Sequence, residues 1–286
     1  PIETYHQALK EFRDSFSEKG DLRAIQAKAT DKFRDLFEIL LTDAFAIVGV
    51  PPCSYDIRAI GSVGRGEPAP FSDLEFFILI ESEEYRDYFK SLLQILELQV
   101  ISMGETPSKC LIKFTSIEKN EFKGFYLDGG GAPTGSKQGD LMGTPDAMAL
   151  HQRRPIVDDK MEVPTHPANQ VLASVSLLKK GESSLYQIFE TDKERILNSG
   201  EKQSIRQIRA LQLFETRKAD FTKTWPSHHI PNTINIKDSF VPFLNFFLAD
   251  LALYFGDQAH DIAFPSKNTL DIIDFLLEKK RFTESC

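Results

Sequence analysis

The 286-residue chain is long enough for one large or two ordinary domains, and 41% hydrophobic with 27% charged residues is the composition of a globular protein with a real core. A net charge of −8 argues against an extended nucleic-acid surface, which needs a basic stripe, but leaves room for a triphosphate site with local cations. No apolar run approaches bilayer-spanning length, none reads as a secretory leader, and Cys53, Cys110 and Cys286 are odd in number and lack metal spacing, so the expectation is a cytoplasmic protein with no membrane partner.

Ile2, Tyr5, Leu9, Phe12 and Phe16 recur at spacings of three and four and predict a first helix. Gly20 and Asp21 separate it from a second, carried by Phe33, Leu36, Phe37, Leu40, Leu41, Ala44, Phe45 and Val48 and stopped by Pro51 and Pro52. A strand is predicted over 55–60, then a glycine turn, then a strand from Asp73 to Ile80. A helix follows over 81–98, with strands at 98–102, 111–115 and 122–127. The Gly-, Pro- and Thr-rich segment 128–145 reads as a loop, long enough to serve as a lid or acceptor platform. Beyond His166 helices are predicted over 169–180, 183–197, 204–217, 238–255 and 268–280, with Asp238 an N-cap and Pro242 in the first turn. The expected division is 1–50 N-terminal helices, 51–155 a catalytic domain and 156–286 a helical domain.

The chemistry concentrates in Gly61 to Ile80, a glycine-rich turn followed by a strand that opens with two acids. Asp73 and Glu75 are two positions apart and share a face of that strand. Phe76 to Ile80 is an unbroken apolar run, the mark of a strand buried on both faces. Two carboxylates at the mouth of such a strand repel unless a cation lies between them, and hard cations such as Mg²⁺ take oxygen ligands of this kind beside substrate phosphates. Gly61, Gly64 and Gly66 permit close backbone approach, Ser62 offers a hydroxyl, and Arg65 a forked cation for phosphate.

Gly61-Ser62, followed some ten residues later by Asp73-x-Glu75, resembles the nucleotidyltransferases of the DNA polymerase β superfamily. G-S-x-G-R-x-E with S-D-L-E looks like the bacterial family of nucleotidyltransferases related to the N-terminal domain of PII-protein uridylyltransferase. Gly124 to Gly135, Gly143 to Ala149, Arg206 to Leu211 and the stretch from Ile236 to Leu277 carry the likeness over most of the chain from about residue 55. The resemblance implies an α+β fold, a mixed sheet flanked by helices with a helical C-terminal domain. It also implies a Mg²⁺ (or Mn²⁺) cofactor, an NTP substrate, and transfer of a nucleoside monophosphate to an acceptor hydroxyl, most naturally on a protein. A small-molecule acceptor, or a nucleotide-binding regulatory module without turnover, are the competing readings; nucleic acid is the least favoured partner.

Asp73 and Glu75 are the expected metal ligands. Asp128 is the expected third carboxylate, since it ends a predicted strand, with Glu118 and Glu121 as rivals. Gly61, Ser62, Arg65 and Ser72 are the nucleotide-binding candidates in the turn. Glu67 is expected to brace Arg65, and Ser72 to cap the turn. In the helical half Arg206 and Arg209, three apart on one helix face, are candidate triphosphate ligands whose competing reading is a solvated charged face. His228 and His229 lack spaced metal-ligand partners, and Lys137 in T-G-S-K lacks the spacing of a phosphate loop.

Overall fold

Apolar side chains at positions 29, 33, 36, 37, 40, 41 and 44 form one stripe on a long helix, and burying that stripe organises the N-terminal half of the molecule. The computed structural model describes residues 2–17, 19–70, 72, 74–103, 127–128, 141–153, 172–179, 183–224, 241–256 and 268–278, of which 74, 127–128, 219–224 and 241–243 are described by backbone alone. Among these residues the elements run α1 (Ile2–Asp14), α2 (Leu22–Val48), β1 (Tyr55–Ala59), α3 (Gly61–Gly64), β2 (Leu74–Ile80), α4 (Arg86–Ser102), β3 (Leu127–Asp128), β4 (Met142–Gly143), α5 (Pro145–Leu150), β5 (Val175–Ser176), α6 (Ser184–Leu197), α7 (Ile205–Thr224), α8 (Val241–Phe255) and α9 (Thr269–Glu278). The fold is α+β, a mixed sheet flanked by helices, and no helix among the described residues is long and apolar enough to cross a membrane.

The chain forms two compact units, Pro1–His151 with Thr165–Asp192, and Gln152–Pro164 with Lys193–Cys286. The division falls inside α6, and α1 and α2 belong to the same unit as the strands. In the first unit β1 and β2 are antiparallel, Ala59 opposite Phe76 and Tyr55 opposite Ile80. β5 adds antiparallel to β1, while β3 and β4 run parallel to β2 at its start and its end.

The two sheet faces carry different chemistry. Ile57, Ala59, Phe76, Ile78 and Ile80 join α1, α2 and α4 in one buried cluster, with the rings of Phe37 and Phe76 5.9 Å apart. Each large side chain fully buried there contributes about 1.5–3 kcal/mol. Asp21 caps α2 by accepting from Ala24 N at 3.0 Å, and Gly49, at φ +89°, ends it. On the other face Phe77 packs on Phe189 of α6 at 5.6 Å, beside a buried polar network. Arg58 Nη1 donates to Asp56 Oδ2 at 3.3 Å and Arg58 Nε to Ser174 Oγ at 3.0 Å. Ser183 Oγ donates to Asp56 Oδ2 at 2.8 Å, and the Arg58 guanidinium lies 3.1 Å from the ring centroid of Tyr186. The network ties β1, β5 and α6 together.

Three elements differ from the sequence expectation. Residues 172–179 hold strand β5, not a helix: Val175 and Ser176 pair with Ala59 and Arg58, and Leu177 N bonds Ile57 O at 2.9 Å. The free edge of β1 is a stronger partner for the alternating A-S-V-S-L run than isolated helix formation. No strand forms at 98–102, because α4 continues to Ser102, extending the Leu92, Leu96, Val100 stripe into the core. The 128–145 segment is bounded by strands β3 and β4 and followed by α5, which opens with Pro145 in its first turn. Asp238, the expected strand at 111–115 and all but the last residue of that expected at 122–127 lie outside the described residues.

In the second unit α7 and α8 pack with the rings of Phe214 and Phe247 5.7 Å apart. Arg217 forms a buried ion pair with Asp250, donates from Nη1 to Phe246 O at 2.7 Å, and lies 4.4 Å from the Phe246 ring centroid. Burial pushes the Asp250 carboxyl up to about 7, against the opposing pull of Arg217. Above an unfolded value of about 4 and below 7, folded Asp250 therefore holds a proton that the unfolded chain has lost, so its contribution to stability, full below pH 4, declines as pH rises to 7. Asp250→Asn removes this dependence. Urea unfolding in pH steps should show the variant gaining on wild type between pH 4 and 7 and holding a constant offset above; parallel curves throughout would refute the assignment.

Candidate functional site

β1 ends at Ala59 and the chain bends almost at once into a short helical turn, which Gly61 makes possible. Ile60 N closes the ladder on Glu75 O at 2.9 Å, and Gly61 then adopts φ +61°, a region costly for residues with a Cβ. The turn Gly61–Gly64 is helical: Gly64 N bonds Ile60 O at 3.0 Å and Arg65 N bonds Gly61 O at 3.2 Å. A Cβ at Gly61 would collide with Glu75 Oε2 and lie 3.0 Å from its carboxyl carbon. The absent side chain thus makes the space in which the Glu75 carboxylate sits. Gly64 has a different role, since a Cβ there would meet the backbone oxygens of Ala59 at 2.6 Å and Ala173 at 2.8 Å. Its close approach is to the protein's own backbone. Gly66, at φ +70°, faces open space and serves the turn alone.

Two pairs of polar side chains fix the turn. Ser62 Oγ and Ser72 Oγ are hydrogen-bonded at 2.9 Å, and Ser72 Oγ accepts from Ala69 N at 2.8 Å while Ser72 N donates to Ala69 O at 2.9 Å. Ser72, 8% exposed, locks the segment leading into β2 onto the helical turn. Arg65 Nε donates to Glu67 Oε2 at 3.0 Å, so its guanidinium is held in place, with no hydrogen bond from its other N–H groups among the described residues.

Glu75, two positions before Phe77, falls on the α6-side face of β2. In the parallel pairing of β2 with β3, Asp128 is its register partner, and Leu127 is the partner of Leu74. The sheet thus brings position 128 beside position 75 across more than fifty residues of sequence. Asp73, Glu118 and Glu121 lie outside the described residues, and Asp128 is described by backbone alone. Among the described residues no group of three or more His, Cys, Asp or Glu side chains is placed to hold a metal.

Arg206 and Arg209 do not lie on a solvated face: they are 7% and 2% exposed. Arg206 donates from Nε to Asn198 Oδ1 at 3.1 Å and pairs with Glu194, and Arg209 Nη1 donates to Gln152 O at 3.2 Å. Burial lowers the Arg209 guanidinium to about 10. Both tie α6, α7 and residue 152 within the second unit. Sequence reading missed these ties, and the Asp56–Arg58 network, because their partners are distant in sequence. The signals present were D-x-R on β1 and S-x-S on β5, polar residues at period two in otherwise apolar strands.

A family model described as "SidM, N-terminal domain" matches residues 2–284, and the chain belongs to that family. No curated protein matches the chain.

Alanine at the three turn glycines should separate their roles. Gly66→Ala should cost only the left-handed strain, about 1–2 kcal/mol. Gly64→Ala should destabilise most, because backbone oxygens cannot give way. Gly61→Ala should add to the strain a displaced Glu75 carboxylate, visible as a shift of its ¹³C resonance that Gly66→Ala does not produce. Urea unfolding and carboxylate NMR check the series; an unshifted Glu75 in folded Gly61→Ala would refute the cradle.

Proposed function

We propose that this chain is a divalent-cation-dependent nucleotidyltransferase that moves a nucleoside monophosphate from an NTP to a hydroxyl group, with a protein as acceptor. The observation that carries the reading is the register pairing of Glu75 with Asp128, which sets two acids side by side at the start of β2 next to a glycine turn. Asp73, two positions before Glu75, supplies the third acid of the pattern.

The donor chemistry fits a hard cation. Carboxylate oxygens are its preferred ligands, and Gly61 clears space for that of Glu75. Asp73, Glu75 and Asp128 would hold it, and a bound cation supplies charge neutralisation on the phosphates. The remaining chemistry falls to the chain's own groups. The acceptor oxygen attacks the α-phosphorus, a new O–P bond forms, the bond to the bridging oxygen of the β-phosphate breaks, and pyrophosphate leaves. The hydroxyl proton passes to a carboxylate, for which Asp128 is the assigned group. Arg65, oriented by Glu67, offers its free N–H groups to phosphate oxygens, and Ser62 exchanges its bond to Ser72 for one to phosphate. Arg206 and Arg209 have no part in this reading.

Asp73→Ala and Glu75→Ala should each lower transfer by several orders of magnitude while leaving the far-UV circular dichroism unchanged, because the loss is of metal-holding groups. The assay is pyrophosphate release with each labelled NTP and Mg²⁺ in source-cell lysate, followed by mass spectrometry of labelled products. Near-wild-type rates in either variant would remove the proposal. Label on a small molecule would keep the transfer and change the acceptor, and tight Mg·NTP binding with no pyrophosphate released would leave only a nucleotide-binding module.

A further inference from the structure

The sheet face opposite Glu75 is covered by α1, α2 and α4, and these three helices enclose a groove of about 430 Å³ that plays no part in the proposed chemistry. The volume is within the range of ligand-binding clefts. Its rim is apolar and projects outward: Ile47 is 66% exposed, Ile2 48% and Leu98 41%.

The floor is polar and its hydrogen bonds run in one direction. Gln99 Nε2 donates to Tyr5 Oη at 3.2 Å, and Tyr5 Oη donates to Asp43 Oδ2 at 2.6 Å. Burial and the neighbouring Asp43 push the Tyr5 hydroxyl up to about 12, which keeps it a donor. The chain of bonds leaves Gln99 Oε1 buried with no hydrogen-bond partner among the described residues, although Gln99 is 8% exposed and lines the groove. A buried acceptor left unsatisfied costs roughly 1–3 kcal/mol, so the floor favours an incoming donor. That donor should be cationic. Asp43 brings a carboxylate to a groove whose lining holds no Lys or Arg to answer it.

We propose that this groove docks a helical segment of a partner protein in which aliphatic side chains flank a lysine or arginine. The aliphatic groups would cover Ile2, Ile47 and Leu98, and the cationic head would reach Asp43, with the Gln99 amide turning its buried Oε1 toward it. A free small amine would leave the outward-projecting rim uncovered. A second copy of the chain is disfavoured by its net charge of −8. Helix-in-groove recognition is the mode that three packed helices with an open seam support. The assignment is independent of the proposed transfer reaction.

Phage display of randomised amphipathic helical peptides on the full chain, with counter-selection against Ile47→Asp, tests it. Ile47 is exposed enough for that variant to fold. Enriched peptides should carry Lys or Arg between aliphatic residues. Their affinity should fall at least about tenfold, roughly 1.4 kcal/mol, on Ile47→Asp, on Gln99→Leu, and when the peptide lysine becomes norleucine. The norleucine arm decides the matter if Gln99→Leu fails to fold. No enrichment, enriched peptides without a basic residue, or affinity indifferent to Ile47→Asp and norleucine would overturn the proposal. Concentration-dependent dimers in sedimentation that Ile47→Asp abolishes would overturn it in favour of self-association.

Discussion

β2 is buried on both faces, and that double burial constrains everything around it. One face of the strand, through Phe76, Ile78 and Ile80, is committed to the helices α1, α2 and α4. The other, through Phe77, is committed to α6. A strand so enclosed leaves only its ends for chemistry, and its first residues are where the glycine turn and β3 converge. The apolar run therefore does more than fill a core. It fixes the height and direction at which Glu75 emerges, to the accuracy of a close-packed interior.

The turn at Gly61 works within that constraint. A positive φ and a missing Cβ are usually separate reasons for glycine, and here they coincide at one residue. Gly64 a few residues on is required by backbone packing against Ala59 and Ala173, so the three glycines of one short motif answer three distinct demands. The Ser62–Ser72 and Arg65–Glu67 pairs then brace the turn from within its own segment, a locally specified device set on a non-locally specified sheet.

The same distinction explains what was legible in the sequence. α1, α2 and α8 could be read because each carries its own apolar period. β1, β2 and the turn could be read because the acids, glycines and buried run are contiguous. β5 could not, since its residues form a strand only by completing the edge of β1, more than a hundred positions earlier. The end of α4 was misread because Val100 and Ile101 are β-branched and favour strands locally, while Val100 packs as the next step of a helical stripe. Arg206 and Arg209 shared a face as expected. That the face is buried depends on Glu194, Asn198 and Gln152, which nothing in the spacing of the arginines reveals.

Charge inside the molecule follows a further rule. Asp56 and Arg58 are almost wholly buried, yet serine hydroxyls and the Tyr186 ring surround them, so neither ion is left to the apolar interior alone. Asp250 in the second unit has Arg217 as its ionic partner, and desolvation outweighs that partner in setting its protonation. A buried ion pair adds little net stability, but misalignment strands a charge. The Asp56–Arg58 network therefore penalises any slip of β5 along β1, and it fixes the register of the strand that packs beside the glycine turn.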